Sequence, residues 1–148
     1  MARSHKGQIL DRSSASGGIA SAALVALVVF HLAINILHGR AHAGAHVGLP
    51  PASAVFVYVV IIAAPLVGLA ILPWRAMAGA LIIAVSLGAA LVFGLVNHFI
   101  ISGADRVDHV AAEWRMLFST TAMLLLATEA AGTALAAWAA RRMVRSAS

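Results

Sequence analysis

Four long apolar stretches, separated by short polar segments, dominate the pattern of residues along the chain. They cover residues 19–38, 52–72, 76–101 and 116–138. Each stretch is close to the ~20 residues with which an α-helix crosses the hydrocarbon core of a bilayer. The pattern therefore predicts an all-α fold, an integral membrane four-helix bundle of up-down-up-down topology, formed by a single domain over residues 1–148.

Composition strengthens this interpretation. The chain is 62% hydrophobic and 10% charged, whereas soluble domains carry about 25% charged residues. The net charge of +5 does not indicate a nucleic-acid partner, because the basic residues are divided between tails and loops and form no basic face. The lipid bilayer is the partner that the composition predicts.

The basic residues also predict the orientation of the bundle. An even number of spans leaves both termini on one side of the membrane. Seven of the ten Lys and Arg residues lie on that side, namely Arg3, Lys6, Arg12, Arg75, Arg141, Arg142 and Arg145. Because positive charge is enriched in cytoplasmic segments, both termini are expected to be cytoplasmic, with residues 1–18 forming a polar tail.

Histidines recur where the first span leaves the membrane. Positions 31, 35, 38, 42 and 46 fall within about 80° of one another on a helical wheel, and four of them are histidines. With the topology above, His98 and the loop residues Asp105 and His109 lie at the same extracytoplasmic end. Polar residues on one face of a spanning helix need polar partners, and these three residues are the ones available at this end.

The residue types in this cluster indicate a transition-metal site for copper, iron or zinc. The chain has no cysteine, so neutral imidazole is the strongest ligand available, and His38 and His42 at i, i+4 can converge on one ion. His98, Asp105 and His109 would complete the site. His31, about 10 Å deeper, would be a further ligand or would orient one.

Three alternatives remain open from the sequence. In the first, the histidines are solvated or are satisfied by lipid headgroups. In the second, His38 and His98 are the axial ligands of a haem in a b-type cytochrome. In the third, the chain is a non-catalytic accessory subunit of a larger membrane complex or forms a homo-oligomer. The sequence predicts a metal-binding membrane protein for redox chemistry or metal handling, without predicting a reaction.

Four further polar residues are expected inside the membrane near the site. Asn35 is expected to hydrogen-bond to a ligand, and Tyr58 lies at the right depth to hydrogen-bond to His31. Glu129 has no Lys or Arg at its depth, so we expect it to be protonated and to donate to Ser86 or a main-chain carbonyl. Its role is either to handle protons or bind a deep ligand, or to hold two helices together. His31 is expected one to two turns away from Glu129.

Three motifs carry a resemblance to a known kind of protein. They are His-Gly-Arg-Ala-His at 38–42, Asn-His-Phe at 97–99 and Asp-Arg-Val-Asp-His at 105–109. They resemble a family of small four-span bacterial membrane proteins, in which the last motif reads Asp-His-Val-x-His, so Arg106 replaces one loop histidine. The resemblance covers nearly the whole chain and implies a multi-pass protein of the bacterial cytoplasmic (inner) membrane, but no activity. The positions that it implies are His31, His38, His42, His98, Asp105, His109 and Glu129.

The orientation can be tested by cysteine labelling, since the chain has no cysteine of its own. A cysteine introduced at Ala111 should react with a membrane-impermeant thiol reagent added to intact cells, whereas one at Ser4 should not. Labelling at Ser4 and not at Ala111 would mean the opposite orientation.

Overall fold

A computed structural model describes the backbone of residues 3–147, with side chains for residue 18 and residues 20–145. This part of the chain folds into four long helices and contains no strand. They are α1 (Arg3–Gly44), α2 (Pro51–Ile71), α3 (Ala76–Ile100) and α4 (Ala112–Ala147). Each contains a stretch that is long and apolar enough to cross a membrane. The predicted all-α fold with four apolar helices is confirmed.

The first helix differs most from the prediction. It begins at Arg3 within the expected polar tail and continues past residue 38 to Gly44. The chain has no proline before Pro50, and Ala and Arg in residues 39–44 favour a helix, so nothing stops it earlier. The helix ends where His46 adopts a left-handed conformation, with φ of 55°. His42 is therefore a helical residue one turn beyond His38.

Small residues allow the helices to approach one another closely. The helix α4 packs against α1 and α3, and α2 packs mainly against α3. Between α2 and α3, a Cβ atom on Gly79 would lie 2.6 Å from the carbonyl oxygen of Gly68. Between α3 and α4, a Cβ atom on Gly132 would overlap Leu87. Van der Waals packing of this kind holds helices together in lipid, where burial of apolar surface gives no drive.

A small apolar core closes the end of the bundle that lies opposite the termini. It consists of Ala41, Val47, Val110 and Phe118, all buried. These residues come from α1, from the two loops at this end and from the start of α4. The loops are thereby packed onto the helix ends instead of extending into solvent.

Two helices contain a π-helical turn. In α2 the turn covers Val57–Ala63, just before Pro65, whose ring nitrogen has no hydrogen to donate. In α3 it covers Val96–Ile100 and contains His98. The main-chain N–H of Ile101 donates to the carbonyl of Val96 at 2.8 Å. A π turn changes the direction of the side chains that it carries, and such turns occur frequently at functional sites.

Candidate metal centre

Three histidines meet at the end of the bundle opposite the termini. His38 and His42 lie one turn apart on α1, and His98 comes from the π turn of α3. One ring nitrogen of each lies within 4.8 Å of the others. The Nε2 atoms of His38 and His98 are 3.2 Å apart, close to the separation of about 3.3 Å between two nitrogen ligands of a tetrahedral zinc ion.

Two of these rings are oriented by main-chain carbonyls. The Nδ1 atom of His98 is 3.0 Å from the carbonyl oxygen of Asp105, and Nδ1 of His42 is 3.2 Å from the carbonyl oxygen of Val47. A carbonyl oxygen only accepts hydrogen bonds. Both Nδ1 atoms must therefore carry the hydrogen and donate it.

The third ring is oriented by Thr121 of α4. The Nδ1 atom of His38 is 2.9 Å from the hydroxyl oxygen of Thr121. That hydroxyl has a single hydrogen, which it donates within its own helix to the carbonyl of Leu117 at 2.7 Å. With the hydroxyl hydrogen used there, or for the carbonyl of Phe118 at 3.1 Å, Thr121 accepts from His38 and the hydrogen of His38 lies on Nδ1.

Atoms that accept hydrogen bonds therefore converge at the centre of the cluster. A neutral imidazole with its hydrogen on Nδ1 has a lone pair on Nε2. The lone pair of His98 therefore faces Nε2 of His38, which meets it with a second lone pair when the hydrogen of His38 is on Nδ1 and donates to it at 3.2 Å when that hydrogen is on Nε2. The Nε2 atom of His42 is 3.2 Å from Oδ1 of Asp105. That oxygen is buried and has no hydrogen-bond partner among the described residues. A cation bound among these atoms would satisfy all of them at once.

Asp105 brings negative charge to the cluster. Burial alone would raise the pKa of Asp105, but the adjacent His98 imidazole outweighs it, with His42 adding to the effect, and the pKa lies below its usual value of 3.8. The side chain is therefore ionised at neutral pH. Oδ1 also lies 3.4 Å from Nδ1 of His98, although that N–H group already donates to the main-chain carbonyl of Asp105.

Phe118 covers one side of the cluster. Its ring centroid is 4.7 Å from that of His38, 4.8 Å from that of His42 and 5.2 Å from that of His98. The ring is fully buried and excludes water from that side. Neither Phe118 nor Thr121 was expected from the sequence, because phenylalanine and threonine are ordinary residues of a spanning helix and only their contacts distinguish them.

Two of the histidines at this end of the bundle, His46 and His109, lie outside the cluster. His109 is exposed, and its Nδ1 atom donates to the carbonyl of Gly103 at 2.7 Å. His46 is exposed as well and leaves the helical stripe because α1 has already ended. The last loop thus contributes Asp105, and not His109, to the group of converging atoms.

His31 lies deeper in the bundle and pairs with Glu129. Its Nε2 atom is 3.2 Å from Oε1 of Glu129, and both side chains are buried. The expected separation of one to two turns between His31 and Glu129 is wrong. That expectation counts the depth of Glu129 from Met116, as though Met116 were level with His38. Thr121 is the residue at that level, so Glu129 is eight residues deeper on α4, as His31 is seven residues deeper on α1.

The remaining predicted contacts differ in part. Asn35 hydrogen-bonds to His31 within its own helix and not across helices, with Nδ2 3.1 Å from the ring Nε2 and 3.0 Å from the carbonyl oxygen. Ser86 does not contact Glu129 but donates to Ile83 of its own helix at 3.2 Å. No hydrogen bond joins Tyr58 to His31 in the described structure, because α2 packs mainly on α3 and leaves Tyr58 exposed.

Comparison with protein families, with curated proteins and with solved structures finds no match to this chain. The assignment of the site therefore rests on its geometry.

The buried pair of His31 and Glu129 can be tested with a double-mutant cycle. His31→Leu should lower the free energy of unfolding in detergent by about 3 kcal/mol, because it leaves a buried carboxyl group without a partner. The double variant His31→Leu/Glu129→Leu should recover most of that loss, since both polar groups are then absent.

Ser86→Ala is the matched control, because Ser86 is also buried but bonds only within its own helix. It should cost less than about 1.5 kcal/mol. Strictly additive effects of His31→Leu and Glu129→Leu would contradict the pairing.

Proposed function

We propose that this chain is an integral membrane protein that binds one transition-metal ion through Nε2 of His38, His42 and His98, with Asp105 as the carboxylate ligand. One observation carries the proposal. The acceptors converge at separations of 3.2 Å for two of their pairs, and one of them is a buried carboxylate oxygen without a partner. Ligand histidines in metal sites characteristically donate their other N–H to a carbonyl or another acceptor, as His42 and His98 do here, and Thr121 is the matching acceptor for His38.

The ligand set favours a borderline divalent ion. Three imidazole nitrogens and one carboxylate oxygen suit zinc, copper and iron, and the absence of thiolate removes the ligand type that selects Cu(I). Along the Irving–Williams series the site should bind Cu²⁺ most tightly, followed by Zn²⁺ and then Fe²⁺. The ion held in the cell then depends on which metal is available.

The proposed location is the extracytoplasmic face of a bacterial cytoplasmic membrane. The support is the distribution of Lys and Arg, which favours cytoplasmic termini and puts the cluster at the opposite end. The loop that contains Asp105 would cover the ion on that side. A site of this kind serves metal handling or redox chemistry at the outer face.

A haem held by His38 and His98 is the weaker candidate. Axial ligands face each other across the iron at about twice a metal–nitrogen bond length, roughly 4 Å, and a macrocycle must fit between the rings. His42 and Phe118 both pack against His38, with ring centroids 4.8 and 4.7 Å away, and occupy the space that the macrocycle needs. A purely structural accessory subunit would have no use for the unpaired acceptors.

The metal content of the purified protein tests the proposal. Wild-type protein purified from membranes should contain about one ion per chain, and His38→Ala/His98→Ala should contain almost none, because two of the four ligands are lost. His109→Ala is the control and should keep its metal, since that imidazole is exposed and bonded to Gly103. Equal occupancy in the double variant and the wild type would refute the site.

The role of Thr121 can be tested separately. Thr121→Val keeps the shape of the side chain but removes the acceptor that holds His38, and should weaken Zn²⁺ affinity by about 10–100-fold. Thr128→Val is the matched control on the same helix, because its hydroxyl bonds only to the carbonyls of Leu124 and Leu125. Competition with a zinc-binding dye measures both affinities, and equal affinities would contradict the role of Thr121.

A further inference from the structure

A cavity of about 580 Å³ extends from the histidine cluster into the bundle. It lies between α1 and α2 and reaches the inner faces of α3 and α4. Apolar side chains make up most of its wall, among them Leu32, Ile61, Phe93 and Leu125. The volume is many times the ~30 Å³ occupied by one water molecule in the liquid. It is large enough for a ring-sized organic molecule.

The cavity opens toward lipid. Ile36 of α1 and Tyr58 of α2 both line it, and they are 60% and 66% exposed. Both lie within the apolar helical segments that are able to cross a membrane, so their exposed surfaces face hydrocarbon. A molecule dissolved in the bilayer can enter between α1 and α2 without passing through water.

Two carboxyl groups that line the cavity each have an oxygen without a hydrogen-bond partner among the described residues: Asp105, which belongs to the histidine cluster, and Glu129, which lies deeper. Oε2 of Glu129 is buried and makes no hydrogen bond within the described structure, although Oε1 contacts His31. Oε2 faces the space above Gly94, where a Cβ atom would lie 3.8 Å from it and 4.0 Å from Cδ2 of His98. Because Gly94 has no side chain, this space stays open. A buried carboxyl oxygen without a hydrogen-bond partner is energetically costly.

We propose that this cavity binds a membrane-soluble molecule with an apolar ring and a hydroxyl group, and that the hydroxyl bonds to Oε2 of Glu129. The apolar wall of the cavity favours a ligand with an apolar ring. The route between α1 and α2 favours a compound that partitions into lipid. A hydroxyl both donates and accepts, so it satisfies Oε2 whether the carboxyl group is ionised or protonated. The ring then lies beside His98, but the inference does not require a metal ion.

Binding of tritiated 4-hexylphenol to the full-length protein in detergent tests this proposal, with chelator present so that a failure of the metal site cannot affect the result. Hexylbenzene, which lacks only the hydroxyl, should compete at least tenfold less well than unlabelled 4-hexylphenol. Glu129→Leu should weaken binding of the phenol by about tenfold. Glu129→Gln, whose amide also donates and accepts, should bind within about threefold of wild type.

A pair of neighbouring residues on α2 tests the location. Ala54 lines the cavity, so Ala54→Phe should occupy part of it and weaken binding of the phenol at least tenfold. Val55 is exposed and does not line it, so Val55→Phe should bind like wild type. This pair keeps the test decisive if Glu129→Leu does not fold.

Equal competition by hexylbenzene would mean that the cavity accepts any hydrocarbon, and would overturn the proposal. No binding of either probe would mean a cavity occupied by water, and would overturn it as well. Unchanged binding in Ala54→Phe would place the phenol elsewhere.

Discussion

His42 and His98 each have only Nε2 left for a ligand, because their Nδ1 atoms donate to main-chain carbonyls, and His38 is equivalent to them when its Nδ1 atom donates to Thr121. Val47 and Asp105 provide main-chain carbonyls, and Thr121 provides a hydroxyl whose hydrogen is already used. With the hydrogens held on these outer nitrogens, the inner nitrogens present lone pairs to one another. A cation bound there would compensate for the burial of these polar atoms.

Much of the surrounding structure serves to hold these acceptors in position. The carbonyl of Val47 is available because α1 continues to Gly44 and the chain then turns back through His46. The carbonyl of Asp105 is available because the last loop folds onto the helix ends, with the N–H of Val107 bonded to the carbonyl of His98 at 3.1 Å. Phe118 covers one side of the rings, so the cluster cannot relax by admitting water on that side.

The sequence was sufficient to predict the four spans, because apolar stretches of about 20 residues with few charges have one stable solution in lipid. The pairing of His38 with His42 followed from helical periodicity, and the inclusion of His98 from its position at the end of the third span. These predictions depend on local pattern and on topology, which a single sequence contains.

What the sequence could not predict was how far one helix is shifted along another. The relative position of α4 decides that Thr121 is level with His38 and that Glu129 meets His31, and it is fixed by packing that no local pattern encodes. The folding of the last loop, which brings in Asp105 and leaves His109 outside, depends in the same way on contacts with Val47 and Val110. The π turn that carries His98 has no sequence signature of its own.

The central claim is that the metal binds at Nε2 of all three rings while every Nδ1 keeps its hydrogen. ¹⁵N NMR of the protein with labelled histidine, recorded before and after addition of Zn²⁺, tests it most directly. The account predicts that the Nε2 signals of His38, His42 and His98 shift on binding, that their Nδ1 signals remain those of protonated nitrogen, and that His109 is unchanged. Coordination through Nδ1 of any of the three, or Zn²⁺ binding that leaves their Nε2 signals unshifted, would contradict it.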